Sequence, residues 1–151
     1  MKDIGSPYNI YDGNEWSQKV GREIFPILIQ MAIDRQDLIT YGELADKVEE
    51  AGIEFRTAHR GRRALNMNYP LGCILRTLFE YQEESCINMP YLTIIVVNKD
   101  TRRPTYFSKE LGWSDDKIQA KQAAVYNFEQ WEDIRQAHIA RLKQREAGST
   151  E

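Results

Sequence analysis

The sequence contains few of the residues that build metal and redox centres. It has two cysteines, Cys73 and Cys86, and two histidines, His59 and His138. Their spacing matches no zinc-binding pattern, so we expect no metal and no cofactor. Both cysteines lie in apolar, near-helical stretches, and we interpret them as reduced thiols in the core of a cytoplasmic protein.

Long apolar runs are also missing. The strongest are residues 27–29 and 94–97, whereas a helix needs about 20 apolar residues to span a bilayer. Residues 1–7 have no apolar core of the kind found in a signal peptide. We therefore expect no membrane-spanning segment and a cytoplasmic location.

The sequence has no recognisable catalytic set. It contains no glycine-rich phosphate loop and no Ser–His–Asp set in a matching context. Adjacent acids at residues 49–50, 83–84 and 115–116 are typical of solvated helix faces and helix starts. We therefore expect a protein that is not an enzyme.

What is present fits one domain, because the chain has 151 residues and needs no disulfide or metal to stabilise a core of that size. Residues 1–13 are rich in turn formers and indicate an irregular N-terminal arm. Residues 14–146 form the predicted domain, and the charged residues 147–151 form a frayed tail.

Positive charge is concentrated in one window of the chain, residues 55–76. This arginine window has five arginines and no acid, so it carries +5, and the rest of the chain carries −8 because the whole carries −3. Such a window inside an acidic protein is a candidate phosphate-binding surface. The alternative is a solvated loop whose arginines pair with nearby glutamates.

The first half of the chain predicts two helices. Apolar residues at spacings of three and four predict a helix from residue 14 to residue 35, which Pro26 should kink or split near Phe25. Thr40 to Glu43 form a capping box that starts a second helix, with Gly52 as its stop. Residues 53–68 allow either a short helix or a basic loop.

The second half predicts a helix, a hairpin and a long last helix. Tyr69-Pro70 should begin a helix that continues to Ser85. The β-branched run 92–97 predicts a buried strand, and with a turn at 98–101 and a short strand at 104–107 it predicts a β-hairpin wing. Ser114 should cap one long C-terminal helix. The predicted fold is mainly α with a small β-hairpin, in the order of a winged helix-turn-helix.

Three stretches carry a family resemblance: residues 16–20 (WSQKV), 39–45 (ITYGELA) and 89–91 (MPY). Over roughly residues 16–107 the chain resembles the C-terminal domain of alkylguanine-DNA alkyltransferases and the alkyltransferase-like proteins. The resemblance implies a winged-helix domain that binds DNA through an arginine-bearing recognition helix. The segment between the two helices is longer here than in the family pattern.

The active-site motif of that family is absent. Where the family has Pro-Cys-His-Arg, this chain has Pro90, Tyr91, Leu92 and Thr93. Alkyl transfer requires a thiolate activated by a neighbouring base, and a tyrosine cannot replace it. We therefore expect no alkyltransferase activity.

Two hypotheses for function remain. The first is a non-enzymatic winged-helix protein that binds duplex DNA through the arginine window and a basic wing. The second is a protein-interaction module, such as an immunity protein, an antitoxin or a phage or host-defence factor, whose acidic surface binds a basic partner. The candidate DNA contacts are Arg56, Arg60, Arg62, Arg63, Arg76, Lys99, Arg102 and Arg103, and the capping motif is Thr40, Tyr41, Gly42 and Glu43.

Overall fold

Helix α1 (Trp16–Ile33) lies at the centre of the molecule. The structure is a computed structural model and describes residues 6–55 and 66–149. Val20, Ile24 and Leu28 form a fully buried stripe along α1, which gives the helix an apolar face toward its neighbours. The predicted split at Pro26 does not occur, and the helix continues through the proline, because residues on both sides of it are held in the core.

Helix α2 (Tyr41–Glu50) begins at a capping box. The Glu43 amide donates to the Thr40 hydroxyl at 3.1 Å, and the Thr40 amide donates to the Glu43 carboxylate at 3.2 Å. These bonds satisfy amides that the first turn of a helix leaves open. Gly52, with φ of +86°, follows the end of α2, in the backbone region that favours glycine.

The β structure is not the predicted hairpin. Strand β1 (Ile39–Thr40) pairs in parallel with β2 (Val96–Val97), with Ile39 opposite Val96. Most of the β-branched run before β2 forms a 3₁₀ turn, Leu92–Ile95. The mainly helical fold with a small sheet is therefore as expected, but the strand pairing is different.

Burial of an aromatic ring explains why the second predicted strand is absent. The segment Tyr106–Glu110 forms a wide helical turn, and the Ser108 amide within it donates to the Pro104 carbonyl at 3.0 Å. Phe107 is buried against Tyr91 and Trp113, with ring centroids 5.7 and 5.1 Å away. An extended strand would turn alternate side chains to opposite faces and break this cluster.

Helix α3 (Asn68–Ser85) packs against α1. The predicted long C-terminal helix is instead two helices, α4 (Asp115–Asn127) and α5 (Trp131–Ser149). Phe128 is extended between them, and the Trp131 indole donates to the Val125 carbonyl at 2.7 Å. The helix is interrupted there because the Trp131 ring turns inward and covers the end of α4.

The N-terminal arm is irregular but packed into the core. Ile10 and Tyr11 are buried, and the Ile10 amide donates to the Thr77 hydroxyl on α3 at 3.0 Å. At the other end of the chain, α5 continues to Ser149, beyond the start of the expected tail. No helix among the described residues is long and apolar enough to cross a membrane.

Only one of the two thiols lies in the core. Cys73 is buried in α3, whereas Cys86 is exposed just after the end of that helix. The expectation of a core thiol was wrong for Cys86, because its φ of +59° turns the chain away from the helix axis at that point. Both cysteines are free.

Candidate functional site

A cleft of about 1260 Å³ opens between the arm, the first turns of α1 and α3, and the segment from Thr93 to Glu110. Its volume is above the roughly 300–1,000 Å³ of typical small-molecule sites. Its walls come from elements far apart in sequence, so the site exists only because the arm folds back over α1 and α3.

Aromatic side chains form much of the cleft wall. Tyr8 and Tyr69 are 63% and 67% exposed, and both line the cleft. Trp16 also lines the cleft, and its indole donates to the Glu54 carbonyl at 2.9 Å. Large exposed rings at the mouth of a concave site are surfaces on which a flat ligand can stack.

Polar atoms occupy the buried part of the cleft. The Tyr41 hydroxyl accepts from the Thr105 amide at 2.9 Å. Burial raises the pKa of Tyr41, so the phenol keeps its proton as a donor at neutral pH. Thr93 also lines the cleft, and its buried hydroxyl has no hydrogen-bond partner in the described structure.

The cleft contains a thiol but no activated nucleophile. Cys73 lines the cleft and is buried. Burial raises the pKa of this thiol, which keeps it in the unreactive protonated form. Tyr91 packs against Phe107 and Trp113.

Acids rather than bases lie at the rim of the cleft. Asp12, Glu15 and Glu110 line it and are exposed, and no lysine, arginine or histidine lines it among the residues that the structure describes. Carboxylates at this edge accept hydrogen bonds from amino groups and repel phosphate. Residues 6–55 and 66–149 contain no cluster of side chains suited to hold a metal ion.

The N-terminal arm, which forms one wall of the cleft, is clamped by two arginines. Arg22 on α1 donates to the carbonyls of Ile10 and Gly13 at 2.7 and 2.9 Å. Arg145 on α5 donates to the carbonyls of Tyr11 and Gly13, both at 2.9 Å. The arm wall therefore depends on residues at opposite ends of the sequence.

Most of the arginine window lies outside the described residues. Arg56, Arg60, Arg62 and Arg63 all fall there, as does His59. Arg76 is described: it lies on α3, 3.5 Å from the Glu80 carboxylate, with its guanidinium 5.5 Å from the Phe79 ring centroid. Its side chain thus lies along α3, toward the C-terminal end of the helix. Arg76 itself comes after the first two turns of α3.

The basic residues of the predicted wing occur on a closed loop, residues 98–103. The Asn98 amide donates to the Arg103 carbonyl at 2.9 Å. Arg103 pairs with Asp115 at 2.8 Å and Arg102 with Asp37 at 3.7 Å, while Lys99 is exposed. Two of the three cations therefore already face carboxylates.

The sequence interpretation missed the residues that build the cleft. Tyr8, Tyr69 and Thr93 come from the arm, α3 and the 3₁₀ turn, and only the fold brings them to one site. One signal was present in the sequence: Tyr69 stands next to Pro70 in the first turn of α3, from which its side chain projects.

Comparison of the chain with protein-family models, curated proteins and solved structures found no match.

Proposed function

We propose that this protein is a non-enzymatic nucleic-acid-binding protein that holds phosphate through its arginine window and accepts an unstacked base in the aromatic cleft. One observation carries the proposal. The window ends in α3, and the first turn of that helix presents exposed Tyr69 at the cleft. The basic segment is thus continuous in sequence with a helix turn that lines the aromatic cleft.

The charge distribution supports the phosphate part of the proposal. The window carries +5 in a chain that is otherwise acidic, and arginine binds phosphate with two parallel hydrogen bonds. The rim carboxylate of Glu110 would repel a backbone that ran along the segment 105–110. The backbone would therefore run on the α3 side of the cleft.

The cleft chemistry supports the base part. A base removed from its stack is bound by stacking on aromatic rings and by hydrogen bonds to its edge. Tyr8 and Tyr69 offer the rings, while Tyr41 and Thr93 offer hydroxyls in the buried part. The rim carboxylates can accept a hydrogen bond from a base N–H, such as N3–H of thymine.

Within this proposal the fold is a winged-helix variant. Helix α2 would be the first helix of the helix-turn-helix and α3 the recognition helix, and the loop 98–103 would take the place of a hairpin wing. The order α1, α2, α3 and loop, with the capping box before α2, supports this assignment and agrees with the alkyltransferase-like resemblance.

Fluorescence polarisation with three probes tests the proposal: a matched duplex, the same duplex with one unpaired thymine, and the same duplex with an abasic site at that position. We expect salt-sensitive binding of all three and tighter binding of the unpaired thymine. Arg62→Glu/Arg63→Glu should weaken all three by roughly an order of magnitude or more at low salt. Tyr69→Ala should remove only the preference for the unpaired base, about 1–3 kcal/mol.

A matched control is the double variant Lys19→Glu/Lys143→Glu. It changes the net charge by the same amount at exposed lysines that do not line the cleft. We expect it to weaken binding much less than the arginine variant. Equal losses in the two variants, or equal affinity for the thymine and abasic probes, would contradict the proposal.

A second candidate is a module that binds a basic protein. It is favoured by the pairing of Arg102 and Arg103 with Asp37 and Asp115, which leaves less positive surface for phosphate. It predicts no binding of any nucleic-acid probe at low salt, and a purified basic protein that binds the chain with salt-sensitive affinity. Recovery of nucleic acid alone, lost after nuclease treatment, would reject this candidate.

A further inference from the structure

Arg22 and Arg145 bring two positive charges together outside the arginine window. Both donate to the Gly13 carbonyl at 2.9 Å, so their Nη atoms lie near one acceptor. Both also donate to the Asn14 side-chain oxygen. The two guanidinium groups are therefore neighbours, although α1 and α5 are far apart in sequence.

No carboxylate is paired with either guanidinium among the described residues. Several other described arginines do have such partners, for example Arg76 with Glu80 and Arg135 with Glu132. The contacts of Arg22 and Arg145 are instead carbonyl and amide oxygens. These satisfy donors but carry no negative charge to offset two adjacent cations.

Two adjacent guanidinium charges repel each other. Burial lowers the pKa of Arg22, and the nearby charge of Arg145 lowers it further. An anion placed against both groups would offset this repulsion and would face partly desolvated donors, where charge-assisted hydrogen bonds are strong.

Some guanidinium donors also have no hydrogen-bond partner among the described residues. Arg145 binds the arm through Nε and Nη2, so its Nη1 group has no bond to the arm. Arg141, one turn earlier on α5, stacks over the Tyr11 ring at 4.6 Å and lies 3.9 Å from Asp12, at the outer limit of an ion pair. A third cation therefore stands beside the pair with little neutralisation.

We infer that Arg22 and Arg145 form a binding site for a phosphate group on the arm, with Arg141 at its edge. The site would take either free phosphate or a phosphate of a nucleic-acid backbone, because both present the same oxygens to the two guanidinium groups. It stands independently of the proposed function, since the arginine window contributes none of its residues.

The direct test uses the unaltered protein. Inorganic phosphate is titrated at constant ionic strength while NMR follows the guanidinium Nε–H signals, with chloride as the reference anion. We expect saturable shifts of the Arg22 and Arg145 signals, and no comparable shift of Arg135, which is already paired with Glu132. Absence of saturation, or equal shifts at all three arginines, would overturn the inference.

A second test uses variants whose folding is checked first by circular dichroism. Phosphate should raise the melting temperature of the wild type more than chloride does at equal ionic strength, because it binds the folded state. Arg145→Gln should lose this increment, whereas the matched Arg135→Gln, on the same helix, should keep it. An Arg145→Gln protein that folds and keeps the full increment would contradict the site.

The two sources of phosphate are separated by the salt dependence of duplex binding. If backbone phosphate occupies the site, Arg145→Gln should reduce the slope of log affinity against log salt by about 0.9. An unchanged slope with saturable inorganic phosphate assigns the site to free phosphate. If the wild type does not bind duplex DNA, the proposed function is rejected. The phosphate titration then stands as an independent result.

Discussion

His138 shows how one buried residue sets a pH dependence. Its ring lies against Phe25 with centroids 5.2 Å apart, and its Nδ1 is 2.8 Å from the Tyr11 hydroxyl. Burial lowers the pKa of His138 to about 4, and the charge of Arg22 also lowers it. The imidazole is therefore neutral in the folded protein at pH 7.

The unfolded protein binds a proton at His138 below its ordinary pKa of about 6.5, whereas the folded protein does so only near 4. The contribution of neutral His138 to the free energy of unfolding is therefore complete above pH 6.5 and is lost as the pH falls toward 4. We expect a loss on the order of 3 kcal/mol across this range. Urea denaturation at pH 7, 6, 5 and 4 measures it.

The variant His138→Gln is the control for this prediction. It removes the titrating group, so its stability should change less between pH 7 and pH 5 than that of the wild type. Tyr11 and Tyr81 also contact this network, but burial raises the pKa of both hydroxyls, so neither titrates in this range. Equal pH slopes in variant and wild type would show that another group is responsible.

At the scale of elements, the loop 98–103 is held by ion pairs to neighbouring elements. Arg102 reaches Asp37 before β1, and Arg103 reaches Asp115 in the first turn of α4. All four side chains are about half exposed or more, so each pair stabilises the fold by less than about 1 kcal/mol.

If the loop acts as a wing, neutralising its acidic partners should strengthen DNA binding. Asp37→Asn/Asp115→Asn removes two negative charges beside Arg102 and Arg103. We expect duplex affinity at low salt to rise several-fold and the salt slope to become steeper, by about 0.9 for each new phosphate contact. Fluorescence polarisation measures both.

Neutralising acids elsewhere is the control for this effect. Asp116→Asn/Glu129→Asn also removes two negative charges, at exposed sites, and should raise affinity less. If both double variants behaved alike, only net charge would matter and the loop would have no specific contact with DNA.

At the scale of the whole molecule, the arm depends on close packing against α1. A Cβ atom at Gly21 would lie 2.5 Å from Cγ2 of Ile10, which is fully buried. Gly21→Ala should therefore displace the arm and lower the free energy of unfolding by about 1–3 kcal/mol, as overpacking does. Hydrogen exchange at residues 10–14 should become faster.

Gly42 in α2 provides a matched comparison. A Cβ there would meet only the Thr40 hydroxyl, at 4.0 Å. Gly42→Ala should stabilise the protein by up to about 1 kcal/mol through helix propensity. In chemical denaturation, the change in the free energy of unfolding should thus have opposite signs in the two variants. Destabilisation of both by the same amount would refute the role of the arm contact.

Local patterns determined much of the secondary structure. The apolar spacing of residues 20, 24 and 28 and the Thr40–Glu43 capping box correspond to α1 and α2 as the structure has them. These features depend on residues within one or two turns of each other. The mainly helical class of the fold follows from them because hydrophobic periodicity and capping act locally.

Tertiary structure decided the sheet, the break between α4 and α5, and the cleft. The β-branched run 92–97 is suited to a strand, but burial of Phe107 and pairing of β2 with β1 leave only Val96 and Val97 extended. Trp131 breaks the last helix by turning its ring toward Val125. Each outcome depends on a partner many residues away or on the turn of a ring into the core.

The sequence by itself therefore determined helices, caps and the segregation of charge, since these are properties of neighbouring residues. Only the fold placed Tyr8 and Tyr69 on one cleft and brought Arg22 and Arg145 to one carbonyl. The physical reason is that the arm, α1, α3 and α5 meet through burial of Ile10 and Tyr11. Hydrophobic burial is not directional, so a sequence pattern shows which residues are buried but not which partners they meet.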